Sequence, residues 1–154
     1  MREIVAYPPN YDVIKQLLAP TDDALYCYGD TIYNPTKRKI LPDVMHHEAV
    51  HARQQGSNPD QWWYDYLTDK DFRLSQEIEA YGEQYLFAQK HIEAQAAEAA
   101  KEGKVLTVGR KKLLSWALES MAKALSGAAY GNLISYGEAE SKIRNYAKHH
   151  DSEN

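Results

Sequence analysis

Two histidines spaced four apart, with a glutamate directly after the first, make His47-Glu48-Ala49-Val50-His51 the segment of this chain whose residue types prescribe a chemistry. On a helix, residues four apart lie one turn above each other with Cβ atoms about 6 Å apart, so both imidazoles can present a nitrogen to one ion. Glu48 is rotated by about 100° from His47, outside that clamp but within reach of a water held by the ion. Zinc with three protein ligands keeps an open position for water and brings its pKa to about 7. Glu48 is then the predicted catalytic base, taking that proton and passing it to a leaving amine.

The clamp needs a third ligand. Cys27 is the only cysteine, so no thiolate cluster and no internal disulfide is available, and the thiol itself reads as a small buried hydrophobe. The ligand must be a histidine or a carboxylate. Residues 74–101 are rich in Ala, Glu, Gln and Lys, lack proline and are followed by Gly103, which predicts a long helix spanning roughly 40 Å. Its apolar stripe runs through Leu74, Ile78, Tyr81, Tyr85 and Ile92. At 100° per residue, Glu77 falls roughly 60° from the centre of that stripe and Glu79 roughly 140° away. Glu77 is therefore the predicted third metal ligand, and Glu79 is expected to face water.

The HExxH segment itself is placed mid-helix by Pro42, which suits a first turn, and by the stop signals Gly56 and Asn58-Pro59. Val44, Met45, Ala49 and Val50 fit a buried helix, while Arg53 indicates that its back is less covered. His46 is expected at the surface or behind the ligands, and Gln54, on the face of His47 and His51, within hydrogen-bonding reach of the site. Ile4–Tyr7 is expected to be a short strand and residues 11–19 a helix ended by Pro20. Ala24–Tyr28 and Thr31–Tyr33, separated by Gly29-Asp30, predict a small antiparallel sheet. Trp62, Trp63, Tyr64, Tyr66 and Leu67 read as one or two helical turns packed in the core. Residues 111–125 predict an amphipathic helix with Leu114, Leu118, Met121 and Leu125 on one face, and residues 138–147 a terminal one.

The chain has 154 residues, about the size of one domain, and a dispersed formal charge of -4, with no repeats or low-complexity linker, so residues 1–154 are expected to form one unit, with disorder confined to the last few. Without a basic stripe it lacks the footprint of a nucleic-acid binder. The apolar stretch in residues 1–9 is too short for a secretory signal and no apolar run is long enough for a membrane span, so membrane insertion is not expected. Twelve tyrosines against two phenylalanines predict a core with hydroxyls at its margins or a contact surface.

His47-Glu48-Ala49-Val50-His51 followed by Glu77-Ile78-Glu79-Ala80 resembles the gluzincin branch of zinc metallopeptidases, in which the first glutamate of ExxA is the ligand. That resemblance also selects Glu77, although Tyr81 stands where several gluzincins carry Asp or Asn. HEAVHARQQ, FRLSQEIEAYGEQ and the later SGAAYGNLISYGEA resemble small HExxH proteins of tailed bacteriophages and prophages, over about residues 24–140. The resemblance implies an α+β, predominantly helical, minimal zincin-like fold, with the sheet packed on the HExxH helix. It further implies peptidase activity on a peptide or protein substrate, in the cytoplasm of a bacterial or phage-infected cell. Zincins often use a tyrosine or histidine to stabilise the oxyanion, which makes Tyr130, set among small residues, and Tyr136 candidates. They also pair an edge strand with extended substrate, here around Tyr26–Tyr33. Two other expectations stay open: a noncatalytic phage or prophage protein in which zinc staples two helices, and a zinc hydrolase acting on a cell-wall amide. Oligomeric state is not specified by the sequence.

Overall fold

The computed structural model describes residues 1–151, and the last few, expected to be disordered, lie outside them. The chain order is β1 (Arg2–Ile4), α1 (Tyr11–Leu17), β2 (Tyr26–Tyr28), β3 (Thr31–Tyr33), α2 (Pro42–Gln55), α3 (Pro59–Thr68), α4 (Lys70–Lys101), α5 (Arg110–Leu125), a 3-10 turn at Ala128–Tyr130, and α6 (Tyr136–His150). The molecule is α+β and predominantly helical.

The helices start where their side chains satisfy free backbone N–H groups. Asn58 accepts from the amide of Gln61 ahead of Pro59, and Asp69 accepts from the amides of Asp71 and Phe72. Ser135 and Glu138 form a reciprocal capping box. Asp69 lies so close behind α3 that α4 begins at Lys70 and gains a turn over its sequence expectation. The aromatic segment is a full ten-residue helix rather than one or two turns.

The sheet departs from expectation. Its order is β1-β3-β2, with β2 and β3 antiparallel but β1 parallel to β3, so it is mixed rather than antiparallel. The hairpin was legible because Gly29, at φ 60°, supplies the positive φ that a two-residue turn demands. The parallel partner was not, since it arrives by way of α1 and no local signal encodes it. β2 packs on α2, and α2 lies along α4.

The long α4 is shared by two cores. Its C-terminal half meets α5 and α6 through Leu86, Leu118, Met121, Leu125, Ala139 and Ile143. Close approach of α6 depends on Gly82, where an added Cβ would fall 2.2 Å from Cδ1 of Tyr146. The other core is mainly aromatic and gathers Ile14, Tyr26, Trp62, Trp63 and Tyr66. Among the described residues no helix is long and apolar enough to cross a membrane.

Candidate metal centre

The N-terminal half of α4 and the middle of α2 carry inward-facing polar groups. His47 and His51 are buried, and their Nε2 atoms stand 3.0 Å apart. Glu77, only 1 % exposed, reaches across from α4. Its Oε1 is 3.3 Å from Nε2 of His51 and its Oε2 is 3.6 Å from Nε2 of His47. One ligand atom from each residue lies within 4.8 Å of the others, a group able to hold a metal ion. Glu79 does not join it. Its carboxylate pairs with Arg53 at 2.8 Å on the outer side, as the helical phase predicts, and Arg53 is itself exposed.

Each remaining atom of the three groups has a partner except one. Nδ1 of His47 is 3.1 Å from Oε1 of Gln84, and Nδ1 of His51 is 2.8 Å from Oε1 of Gln54. The Tyr66 hydroxyl donates to Oε1 of Glu77 at 2.6 Å. Oε2 of Glu77 is buried without a hydrogen-bond partner, a costly arrangement unless something else occupies that oxygen.

Burial and mutual charge set the protonation of the centre. Burial, reinforced by the neighbouring His51, pushes His47 down to about 3. Burial opposes charge on His51 too, but the charge and hydrogen bond of Glu77 outweigh it and raise His51 to about 9. Burial also works against the Glu77 anion, yet His51 holds this carboxyl below its ordinary value. His51 and Glu77 thus favour each other's charged forms in the metal-free centre. Burial lifts Glu48 to about 7, with Glu77 adding to the effect and His51 and Arg38 opposing it.

His47, Glu48, His51 and Glu77 line a cavity of about 100 Å³ whose other walls include Ile14, Leu18, Leu25, Trp63, Tyr66 and Tyr130. Tyr130 is thus on the cavity wall, its hydroxyl 2.8 Å from that of Tyr81, and burial keeps its phenol protonated well beyond the usual range. Tyr136 is elsewhere: it begins α6 and lines a separate groove between α4, α5 and α6. It is not near the centre, because the glycine-rich turn that carries Tyr130 inward sends the following helix away. His46 lies on the outside, 3.6 Å from Glu83 and stacked on Phe87.

Two backbone groups of the stretch expected to pair with an extended substrate are already engaged. The Cys27 carbonyl accepts from Nε2 of Gln55 at 2.9 Å and Nε1 of Trp63 at 3.1 Å. The Gly29 amide donates to Oε1 of Gln55 at 2.7 Å. These contacts anchor β2 to α2 and leave no free ladder at that carbonyl. The Cys27 thiol is buried, as expected, and burial raises its pKa.

Four supporting residues escaped sequence reasoning. Tyr66 and Gln84 touch the ligands directly, and Asp43 accepts from Nε2 of Gln84 at 2.8 Å. Gln84 lies seven residues after Glu77, on the same face of α4, so the helical phase that selected Glu77 would have found it. Tyr81 packs edge-to-face with His47, centroids 4.4 Å apart, and the side chain that meets Nδ1 of that histidine is Gln84 instead. The fourth is Arg73, 3 % exposed. It donates to the carbonyls of Tyr66 at 2.6 Å and Tyr130 at 3.1 Å, tying the end of α3 to the turn that bears Tyr130. No family model, curated protein or solved structure matches the chain.

Proposed function

We propose that this chain is a zinc-dependent metallopeptidase of minimal zincin-like fold, with His47, His51 and Glu77 as metal ligands and Glu48 as general base toward a peptide or protein substrate. The carrying observation is the orphaned Oε2 of Glu77, buried beside two imidazole Nε2 atoms whose Nδ1 partners are already occupied. Spacing supports zinc. Tetrahedral ligand atoms about 2.0–2.1 Å from the ion lie about 3.3 Å from one another. Nε2 of His47 lies 3.0 Å from Nε2 of His51 and 3.6 Å from the orphaned Oε2 of Glu77, two separations that bracket that value.

When bound, zinc supplies Lewis acidity and an acidified water. The chain's own groups do the rest of the work. Glu48, on the same cavity wall as the ligands, accepts the water proton and returns it to the leaving nitrogen. Tyr130, held protonated, donates to the scissile carbonyl oxygen as charge develops there. Ile14, Leu18, Leu25 and Trp63 exclude bulk water, which strengthens both interactions. At about 100 Å³ the cavity is smaller than the ~300–1,000 Å³ that encloses a whole small ligand. It suits one side chain of a longer polymer whose remainder lies outside. A noncatalytic zinc staple would need no such room beside Glu48, and the cavity therefore favours the peptidase. The bacteriophage resemblance extends the proposal to the cytoplasm of a bacterial or infected cell.

Glu48→Gln tests this reading. The variant is expected to keep its zinc while its cleavage of a mixed peptide library, followed by mass spectrometry, falls about 10²–10⁴-fold. Undiminished cleavage would overturn the assigned mechanism.

A further inference from the structure

The two ligand histidines are backed in the same way, by a glutamine whose other end is fixed by a carboxylate. On one side, Nε2 of Gln84 donates to Oδ2 of Asp43 at 2.8 Å, and Oε1 of Gln84 faces Nδ1 of His47 at 3.1 Å. On the other, Nε2 of Gln54 donates to the Gln76 carbonyl at 3.0 Å and to Oε2 of Glu79 at 3.2 Å, while its Oε1 faces Nδ1 of His51 at 2.8 Å. Both chains cross between α2 and α4.

The chemistry of the donors fixes the protons. An ionised carboxylate or a backbone carbonyl can only accept, so the amide NH2 of each glutamine must point toward it. The opposite end of the amide, a carbonyl oxygen, can also only accept. Each histidine must therefore carry its proton on Nδ1, leaving Nε2 to face Glu77. The amide orientation needs no independent assignment, because the reversed amide would set two acceptors against each other at Asp43 and Glu79.

We propose that Asp43–Gln84 and Glu79–Gln54 are positioning relays that lock both histidines in the Nε2-coordinating tautomer and set each carboxylate, that of Glu79 already paired with Arg53, one neutral amide away from the ligands. This rests on the zinc reading above. A carboxylate bonded directly to a ligand imidazole raises its basicity and places an extra charge beside the metal. The interposed amide keeps the orientation without that charge. With Glu77 as the one anionic ligand, the loaded centre stays net positive, which favours the polarisation of a carbonyl. Gln84 and Gln54 touch neither substrate nor metal in this scheme, and Asp43 and Glu79 act only through them.

The test is zinc affinity, measured by competition with a chromophoric chelator. Gln84→Met, which keeps the length of the side chain but accepts no strong hydrogen bond, is expected to weaken zinc binding about 10–100-fold. Gln54→Met, at a half-exposed position where folding is less at stake, should lose affinity within the same range. Asp43→Asn should weaken binding only a few-fold, and that loss should disappear in the Gln84→Met background, because Asp43 acts through Gln84. In the zinc-loaded wild type, nitrogen-15 spectra should show protons on Nδ1 of both histidines. Unchanged affinity in both methionine variants, additive effects of Asp43→Asn and Gln84→Met, or protons on Nε2 would overturn the relays while leaving the zinc site standing. A wild-type chain that binds no zinc would overturn the peptidase reading itself.

Discussion

The two halves of α4 face different interiors. From Arg73 to Gln84 it turns a buried arginine, glutamate and glutamine toward α2 and α3, where His47, Glu48 and His51 are also buried. Its other face, through Tyr81 and from Tyr85 onward, packs on α5 and α6 with Leu86, Ala88, Leu118, Met121, Leu125 and Ile143, and among the described residues no buried polar or charged side chain follows Gln84. Burying ionisable groups costs stability even when they are paired. One rigid helix thus couples a region that holds reactive groups against solvation to a region that supplies apolar burial. The two should respond differently to perturbation.

The largest effect is expected in the apolar region. Leu125→Ala and Ile143→Ala, each removing a fully buried side chain, should cost about 2–5 kcal/mol of unfolding free energy by denaturant titration. Zinc affinity measured below the unfolding transition should stay as in the wild type. A loss of affinity in the still-folded variants would erase the distinction between the halves.

Next in size is the crossing of α4 and α6. Gly82→Ala places a methyl group inside the ring of Tyr146, and the resulting repacking should cost about 1–3 kcal/mol. Combining it with Tyr146→Ala removes the clash. The double variant should then be less destabilised than the sum of the two single changes, with calorimetry as the readout.

A different kind of effect separates the halves by pH. His51 rises from 6.5 unfolded to about 9 folded, so it stabilises the metal-free fold fully below pH 6.5 and loses that contribution as pH climbs through 9. Glu48, raised from 4.5 to about 7, acts in the same direction over its own lower range. His47, lowered from 6.5 to about 3, acts oppositely: its contribution is present above 6.5 and lost as pH falls through 3. Metal-free stability should therefore decline between pH 6.5 and 9. Zinc displaces the His51 proton, so calorimetry in buffers of differing ionisation enthalpy should record release of about one proton on loading near pH 7.5, and the loaded protein should not show the decline.

Much of the centre was legible because its information is local. His47 and His51 are four apart on one helix, and the phase of α4 separates Glu77 from Glu79 without knowledge of any partner. Several helix ends were also legible, through Pro20, Pro42, Gly56, Asn58-Pro59 and Gly103. What stayed hidden depends on how elements meet. The parallel pairing of β1 with β3 joins residues far apart in the chain. Arg73 shows its role only once the carbonyls of Tyr66 and Tyr130 converge on it. Tyr136 was named with Tyr130 because the family resemblance implies a tyrosine for the oxyanion, yet an intervening turn at Gly131, with φ 86°, separates them in space. Gln84 is the instructive middle case: its face was predictable, but its partner was not.

Metal analysis of the purified wild type beside Glu77→Gln and Glu79→Gln tests the central claim most directly. The account predicts about one zinc per chain in the wild type and in Glu79→Gln, and a loss of zinc in Glu77→Gln. A wild-type chain free of zinc, or zinc retained by Glu77→Gln and lost from Glu79→Gln, would contradict it.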